Sequence, residues 1–199
     1  MLNSPVLCWP LKFLDCCPSS EGACAVIFAS EEKGKKISRT PAWVIGTGAT
    51  TYTSTPGEAE EGKFGLAVRK AYKMAGIDNP RRQISVVEPY DPFSNAEMGY
   101  YLSLGFCKEP KEVPKMVEDG FGEMTGEVPF SPSGGVLCSN PIGATGLVRV
   151  AEAATQIMGK AEKRQVPDAK VALAMGAGGS PAPGSATFIT SMILAKKPL

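Results

Sequence analysis

Residues 140–146 read Asn140-Pro141-Ile142-Gly143-Ala144-Thr145-Gly146 and open an alanine-rich stretch that runs to about Lys160. Asn before Pro is good helix-capping chemistry, because the Asn side chain accepts an unpaired backbone N–H and Pro fits the first helical position. Gly143 and Gly146 lie three residues apart in the first predicted turn, which permits close approach of another backbone or a ligand. The stretch predicts a capped helix. Local physics leaves open whether it only packs on a sheet or also turns its N-terminus toward a developing negative charge.

The rest of the chain alternates short apolar runs with amphipathic stretches, as in a protein that layers helices on a sheet. Strands are predicted at Gly22–Ala29, Ala42–Gly48, Ile84–Val87, Val171–Met175 and Ala186–Leu194. Helices are predicted at Phe64–Ala75, at Ser94–Leu104, near Lys115–Glu118 and from Pro141 to about Lys160. This order predicts a single α/β layered domain over residues 1–199.

Finer features of this plan concern helix ends, packing faces and loops. Ser94 and Glu97 have the spacing of a capping box, and Gly76 suits the end of the helix before it. Residues 50–61 are polar and contain Gly and Pro, which predicts a surface loop of a length that often covers a site. The apolar stripe of the last helix predicts its packing face: Leu147, Val150, Ala151, Ala154, Ile157 and Met158.

Residues 1–21 are predicted to form an irregular lead-in segment. A free N-terminus is usually polar, whereas this segment is rich in apolar side chains that need burial. We therefore expect another polypeptide, or more of the same one, to cover it. The apolar side chains are Val6, Leu7, Trp9, Leu11, Phe13 and Leu14.

Composition excludes several classes of function. Of the 199 residues, 43% are hydrophobic and 21% are charged, which is ordinary for a globular protein,. The formal net charge is +1, so no charge excess favours nucleic acid or a membrane surface,. No apolar run is long enough to span a membrane, and the start has no basic region typical of a signal peptide. A cytoplasmic protein is the default expectation.

The chain contains no His, which removes the commonest general acid or base and the commonest metal ligand,. None of the six Cys forms a C-x-x-C pair, and Cys16 and Cys17 are adjacent, which disfavours a zinc knuckle. We expect free, mostly buried thiols in a reducing compartment and no metal. Chemistry in this chain must use carboxylates, Tyr, Cys, Lys or amides.

Several motifs in the same order along the chain resemble the thiolase family. Glu88–Ser94 is similar to the stretch Glu-x-His-Asp-x-Phe-Ser of sterol-carrier-type and archaeal thiolases. Gly134-Gly135 stands a few residues before Pro-Ile-Gly-Ala-Thr-Gly, as in the family. Further similar stretches are Leu14–Pro18 with Glu21–Ala25, the helix Phe64–Ala75 with its following Gly-Ile, and Gln165–Pro167 before the strand Val171–Met175. The resemblance spans nearly all of the chain.

The resemblance implies a mixed β-sheet covered by helices, one half of a fold made from two related halves with active-site loops at the strand ends. It covers only the second half. The Cys that accepts the acyl group in thiolases belongs to the first half. Thiolases also form dimers or tetramers.

Three departures from the family pattern bear on chemistry. Asn140 stands where the family has a His before Pro-Ile-Gly-Ala-Thr-Gly, with one residue fewer after the Gly pair. Tyr90 stands in place of the His of the His-Asp-x-Phe motif. The C-terminal catalytic Cys is absent, because the chain reads Met175-Gly176-Ala177-Gly178-Gly179.

The resemblance implies catalytic roles for Asn140, Tyr90 and Asp91. Asn140 can donate a hydrogen bond to a thioester oxygen but cannot shuttle a proton at neutral pH. Tyr90 can orient or protonate a substrate, although a free pKa of about 10 makes it a poor base. The alternative is that Tyr90 is a packed aromatic side chain with a satisfied hydroxyl. Asp91 is either a general base or a solvated turn residue between two prolines.

The implied substrate-binding residues are Cys138, Gly143, Gly178 and Gly179. Cys138 is either a thiol activated near a helix N-terminus or a small buried hydrophobic residue. The pair Gly178-Gly179 is either a backbone-lined wall beside the acyl chain or a tight turn between two strands. No dinucleotide fingerprint or phosphate loop is present.

Three functions remain open. The first is carbon–carbon bond chemistry on an acyl-CoA, by thiolysis or Claisen condensation, with coenzyme A as substrate and no cofactor. The second is a thiolase-like retro-aldolase that uses Tyr and a small acyl-CoA-binding partner subunit of zinc-ribbon/OB-fold type. The third is a non-catalytic acyl-CoA-binding or structural fragment. Expected partners are an acyl-CoA thioester and a second copy or a thiolase first half.

Overall fold

The structure is a computed structural model and describes residues 3–53, 63–179 and 186–199. Six strands are described: β1 Val6–Cys8, β2 Leu11–Lys12, β3 Trp43–Thr53, β4 Val86–Glu88, β5 Val171–Gly179 and β6 Ala186–Ala195. Seven α-helices are described: α1 Glu31–Ile37, α2 Lys63–Ala75, α3 Pro80–Gln83, α4 Ala96–Ser103, α5 Val113–Glu118, α6 Gly135–Cys138 and α7 Thr145–Met158. Short 3-10 turns lie at Phe13–Asp15, Pro110–Glu112 and Glu162–Arg164. The predicted α/β fold with a mixed sheet and covering helices is confirmed.

The main sheet has the strand order β3-β6-β5-β4. Strand β6 pairs antiparallel with both β3 and β5, whereas β4 and β5 run parallel. Val87 also forms an isolated parallel bridge with Phe130 on the outer side of β4. Because β4 and β5 are parallel, their carboxyl ends meet at one edge, where open α/β sheets usually bind ligands.

Helices cover both faces of this sheet. Alternate residues of β5 point to opposite faces, so Leu173 and Met175 join the core with α2 and α4 while Ala172 and Ala174 face α7,. Four aromatic rings pack edge to face or tilted in the larger cluster: Tyr101, Phe106, Phe121 and Phe130. The sheet is therefore a layer between two helical layers.

Glycines allow two close backbone contacts in these layers. A Cβ on Gly48 of β3 would lie 1.9 Å from the Ala67 carbonyl oxygen, so α2 rests directly on the strand. A Cβ on Gly176 of β5 would lie 3.1 Å from Gly146 Cα on α7. The close approach predicted for Gly146 is thus confirmed as helix–sheet packing. Gly143 does not share it, since nothing lies within 4 Å of its Cβ position and its φ is +93°.

The strand predicted at Gly22–Ala29 is wrong. Residues 21–30 have no regular secondary structure, and Ile27 and Phe28 are 90% and 61% exposed. A strand needs a neighbour to satisfy its backbone, and none of the described strands lies beside this run,. The pattern of apolar residues has strand character, but none of the described strands pairs with it.

The helix after Asn140 also differs from the prediction. It begins at Thr145, and Ala144 is its N-cap, so Asn140 does not cap it. Its most buried face is not the predicted apolar stripe, since Leu147 is exposed. The buried residues are Thr145, Arg149, Ala153, Gln156 and Ile157. Hydrogen bonds to the polar members of this face compensate their burial, which hydrophobic periodicity cannot detect.

Other local predictions have mixed outcomes. Gly76 follows α2 with φ +65°, and the Ile77 N–H donates to the Tyr72 carbonyl, so the predicted C-terminal cap is confirmed,. The capping box at Ser94 is wrong, because α4 starts at Ala96 after Asn95 and the Ser94 N–H donates to Asp15. The predicted loop at 50–61 lies outside the described residues beyond its first part, which extends β3 to Thr53.

The lead-in contains the short antiparallel pair of β1 and β2, and much of its apolar surface is exposed. Trp9 is 85% exposed, and the exposure of Val6, Leu7, Phe13 and Leu14 is about half or more. The six Cys are free, as predicted, but only Cys107 is buried. Within the described parts of the chain, no helix has the length and apolar character needed to cross a lipid bilayer.

Candidate functional site

The carboxyl end of β4 carries Glu88, a fully buried carboxylate to which the sequence analysis assigned no role. Glu88 Oε2 accepts hydrogen bonds from Arg149 Nη1 at 2.8 Å and from the Ser133 hydroxyl at 2.7 Å. Glu88 Oε1 accepts the Ser133 N–H at 3.2 Å. Burial raises the pKa of Glu88 to about 7, although Arg149 and Ser133 act in the opposite direction,.

Asp91 lies three residues further and is also buried, with 4% of its surface exposed. Asp91 Oδ2 accepts the Ser131 hydroxyl at 2.6 Å, and Oδ1 accepts the Val136 N–H at 3.0 Å. Burial raises the pKa of Asp91 despite these bonds. The alternative of a solvated turn residue is therefore wrong, because both oxygens are engaged by the segment 131–136.

Glu88 and Asp91 thus hold the same turn from either side of Tyr90. The turn needs glycine at its tip, because Gly134 and Gly135 have φ of +94° and +62°,. A Cβ on Gly135 would also lie 2.8 Å from Asp91 Oδ2. The two carboxylates fix the backbone around Tyr90 relative to this turn.

Tyr90 itself is half-buried. Its backbone carbonyl accepts a hydrogen bond from the Tyr100 hydroxyl of α4. Tyr90 lines a groove of about 630 Å³ together with Phe93, Met98 and Ala177. Tyr90 is therefore anchored through its backbone and lies beside open space.

Asn140 is buried, with 5% of its surface exposed. Its Oδ1 accepts the Thr145 hydroxyl at 2.7 Å, so the side chain contacts the start of α7 without capping it. Its Nδ2 donates to Cys17 Sγ at 3.2 Å, and its backbone N–H donates to Ser20 Oγ at 3.3 Å. The amide is held between the lead-in and the first residue of the helix.

Cys17 is the thiol at this site, and the sequence analysis gave it no role. Its N–H donates to the Pro92 carbonyl at 2.9 Å, and Cys16 forms an isolated bridge with Phe93. Residues 16–20 therefore touch both the turn that carries Tyr90 and the segment that carries Asn140. The vicinal Cys pair was the available signal, but its spacing does not indicate what it contacts.

The structure corrects one of the two alternatives for Cys138. Its side chain is exposed, so it is not a small buried hydrophobic residue. It is the last residue of α6, and its predicted position near the N-terminus of the following long helix, α7, stays a prediction. A Cβ on Gly134 would lie 2.6 Å from Cys138 Sγ, which places the thiol against the turn at 131–136.

Gly178 and Gly179 do not form a tight turn. Both belong to β5, where they pair with Phe188 and Thr187 of β6, and the connection at 180–185 lies outside the described residues. Nothing lies within 4 Å of a Cβ placed on Gly178. Both glycines follow Ala177 at the carboxyl end of β5, the same edge of the sheet as Tyr90.

The opposite edge has a different cavity, of about 660 Å³, near the amino ends of β4 and β5. Charged side chains line it, and Arg81 and Glu127 pair across it through two hydrogen bonds of 2.7 and 2.5 Å. It contains none of the candidate residues. Across residues 3–53, 63–179 and 186–199, no three Cys, Asp or Glu side chains come together as a metal site would require.

Comparison with protein families gives a match over residues 51–192 to the family described as Thiolase C-terminal domain-like. Sterol carrier protein 2 of Oryctolagus cuniculus is 39% identical over 182 residues, which cover 85% of this chain and 33% of that protein. Acetyl-CoA acetyltransferase of Methanothermobacter thermautotrophicus is 33% identical over 185 residues, 90% of this chain and 48% of that protein. The chain thus spans between a third and about half of these relatives.

Two further comparisons agree with these. Benzoylsuccinyl-CoA thiolase subunit BbsB of Thauera aromatica is 32% identical over 190 residues, 90% of this chain and 47% of that protein. A solved structure titled Ltp2-ChsH2(DUF35) aldolase superposes with a TM-score of 0.75, covering 98% of this chain and 50% of that one. Its sequence identity is 22%, so this likeness concerns the fold alone.

Proposed function

The chain belongs to the thiolase C-terminal domain-like family, and we propose that it contributes the second half of an enzyme that makes or breaks a carbon–carbon bond beside an acyl-CoA thioester. The reaction is thiolysis or Claisen condensation. The nucleophilic Cys comes from a thiolase first half, supplied by additional polypeptide. Coenzyme A enters as part of the substrate, and no cofactor is needed.

The observation that carries this proposal is that residues 16–20 contact both Asn140 and the turn that carries Tyr90. Asn140 Nδ2 points at Cys17 Sγ, 3.2 Å away, and sulfur is a weak hydrogen-bond acceptor,. A thioester oxygen is a better acceptor and would compete for this donor. A buried amide donor aimed at a developing oxyanion stabilises it more than one exposed to water.

Tyr90 orients or protonates the substrate in this proposal. It stands next to the groove and is fixed by the hydrogen bond from Tyr100 to its carbonyl. For Asp91, holding the Tyr90 backbone fits the contacts better than acting as a general base, because both carboxylate oxygens already accept hydrogen bonds. Substrate contacts by Cys138, Gly143, Gly178 and Gly179 stay predictions.

A retro-aldolase is the second candidate function. The chain has no His to move protons, and two of the described residues that line the groove carry a phenol, Tyr90 and Tyr100, of which Tyr100 is bound to the Tyr90 carbonyl. A retro-aldol cleavage needs no acyl transfer to Cys, so it fits a site whose thiol, Cys17, serves only as a contact of Asn140. A small acyl-CoA-binding subunit of zinc-ribbon/OB-fold type would be the partner.

The test begins with the coding region next to this one. Its product would be expressed together with the chain, and the purified assembly assayed with 3-ketoacyl-CoA plus CoA and, separately, with 3-hydroxyacyl-CoA. A new acyl-CoA from the first substrate supports thiolysis, and release of a carbonyl compound from the second supports the retro-aldolase.

The chain alone is the control in both assays. We expect it to turn over neither substrate, because its relatives are two to three times its length and it has no thiolase nucleophile assigned. An assembly with neither activity would favour the third function, that of a non-catalytic binding or structural subunit. Turnover by the isolated chain near that of complete thiolases would contradict the need for a first half.

A further inference from the structure

The groove beside Tyr90 is apolar and of defined size. It holds about 630 Å³ between α4 and the segment 110–114. Tyr90 and Ala177 line it from the strand-end side, and Phe93, Met98, Leu102 and Val113 supply most of its apolar surface. None of the described residues that line it is charged.

The groove leaves apolar side chains in contact with water. Phe93 is 44% exposed and Met98 is 42% exposed. The Tyr100 hydroxyl, which is also part of the lining, is already bound to the Tyr90 carbonyl. The surface therefore favours an uncharged, apolar ligand, since burial of apolar area is the main gain available.

Gly99 opens this groove in the middle of α4. It lines the groove, and a Cβ placed on it would meet no atom within 4 Å. Gly inside a helix is destabilising relative to Ala. At Gly99 that cost coincides with free volume on the groove side of the helix, which a larger side chain would fill.

We infer that this groove is the subsite for the acyl group and that the substrate is the thioester of a bulky apolar acid. Pockets of roughly 300–1,000 Å³ hold ligands of drug size, which is far more room than an acetyl group fills. The groove starts at Tyr90, so a thioester held at Tyr90 and Asn140 can extend its apolar part over Met98. The inference rests on the proposed acyl-CoA function.

The test uses the chain itself with decanoyl-CoA and acetyl-CoA as probes. Binding is measured by calorimetry, and contact with the groove by NMR of methionine labelled at its ¹³C methyl group, with the Met98 signal assigned from Met98→Leu. We expect decanoyl-CoA to shift the Met98 methyl signal and to bind at least about tenfold more tightly than acetyl-CoA, since each buried methylene adds to affinity.

Gly99→Leu should fill the groove, weaken decanoyl-CoA binding at least about tenfold and leave acetyl-CoA binding unchanged. Thermal melting should show that this variant is at least as stable as the parent, since Leu is a better helix former than Gly. Gly34→Leu is the matched control, because Gly34 lies in α1 and its Cβ position is also free of contacts within 4 Å.

Each remaining outcome bears on the acyl subsite alone or on the acyl subsite and the proposed function together. Equal affinity for both thioesters, an unmoved Met98 signal or full decanoyl-CoA binding by Gly99→Leu overturns the acyl subsite and leaves the proposed function standing. Failure of both thioesters to bind overturns the subsite and the proposed function together. Tight binding of an extended apolar peptide in place of decanoyl-CoA would assign the groove to a protein partner and overturn the inference.

Discussion

Arg149 Nη1 on α7 lies 2.8 Å from Glu88 Oε2 at the end of β4, and both side chains are almost completely buried. The Ser133 hydroxyl bridges the two, accepting from Arg149 at 2.8 Å and donating to Glu88 at 2.7 Å. This contact ties together the strand, the turn and the helix that carry Tyr90, Cys138 and Asn140. Such a pair needs both partners, because a lone buried charge is strongly destabilising.

The first prediction concerns the pH dependence of stability through Glu88. Its folded-state pKa is about 7, above the usual 4.5, so its stabilising contribution is full below about pH 4.5 and is lost as the pH rises through 7,. Glu88→Gln removes this titration. The stability of the parent relative to Glu88→Gln, measured by urea unfolding, should fall by on the order of 3 kcal/mol between pH 4.5 and 8.

Glu31→Gln is the control for this experiment. Glu31 pairs with Lys35 on the exposed helix α1 and is not among the charges that act on Glu88, so its replacement should not change the pH profile noticeably. If the gap between the parent and Glu88→Gln instead widens with pH, Arg149 and not burial governs the pKa of Glu88.

The second prediction separates two roles of Asn140. Asp at this position keeps an acceptor for the Thr145 hydroxyl but loses the donor that now points at Cys17. In the complete assembly, Asn140→Asp should lose about two to three orders of magnitude in turnover, the usual effect of removing one oxyanion donor, and it should also melt below the parent because the new carboxylate is buried,. Asn95→Asp, at the exposed N-cap of α4, is the matched control and should keep full activity.

Full activity in Asn140→Asp would leave Asn140 with a structural role only. Asn140→Ala should lose about 1 kcal/mol of stability through the missing hydrogen bonds. A larger loss of stability in Asn140→Asp than in Asn140→Ala would mean that the new carboxylate disturbs the contact with Cys17.

A third prediction tests the packing of α2 on β3. In Gly48→Ala the new methyl group would meet the Ala67 carbonyl oxygen, so we expect a loss of about 3 kcal/mol, at the upper end for overpacking,. Gly34→Ala in α1 meets nothing within 4 Å and should gain roughly 0.5–1 kcal/mol,. Chemical unfolding measures both, and a neutral Gly48→Ala would show that α2 does not rest on the strand.

The fourth prediction concerns association. The exposed apolar side chains of the lead-in, above all Trp9 at 85% exposure, should drive self-association of the isolated chain,. Light scattering should show a mass above that of a monomer, and Trp9→Ser should lower it. Leu199→Ser, at the other end of the chain, serves as the control. A parent chain that stays monomeric at every concentration would remove the lead-in as an interface.

Much of the fold follows from local pattern. The buried strands β4 and β5, the helix α2 with its cap at Gly76 and the Gly146 contact were all predictable, because periodicity and glycine placement act over a few residues. The strand predicted at Gly22–Ala29 failed for a different reason. Its residues have strand character, but a strand forms only where a partner pairs with it, and pairing is not a local property.

The residues of the candidate site also fall into those that local sequence pattern predicts and those that depend on distant contacts. The residues near the Pro-Ile-Gly-Ala-Thr-Gly stretch and the turn after β4 could be named from the chain alone, and with them Tyr90, Asp91 and Asn140. Arg149 could not, because it lies off the predicted apolar stripe of α7, where periodicity predicts solvent exposure, and its partner Glu88 is 61 residues away. Cys17 contacts Asn140 across 123 residues. Contacts of this range depend on how strands and helices are stacked, so the buried ion pair, the place of the thiol and the open groove at Gly99 emerge only when the chain is folded.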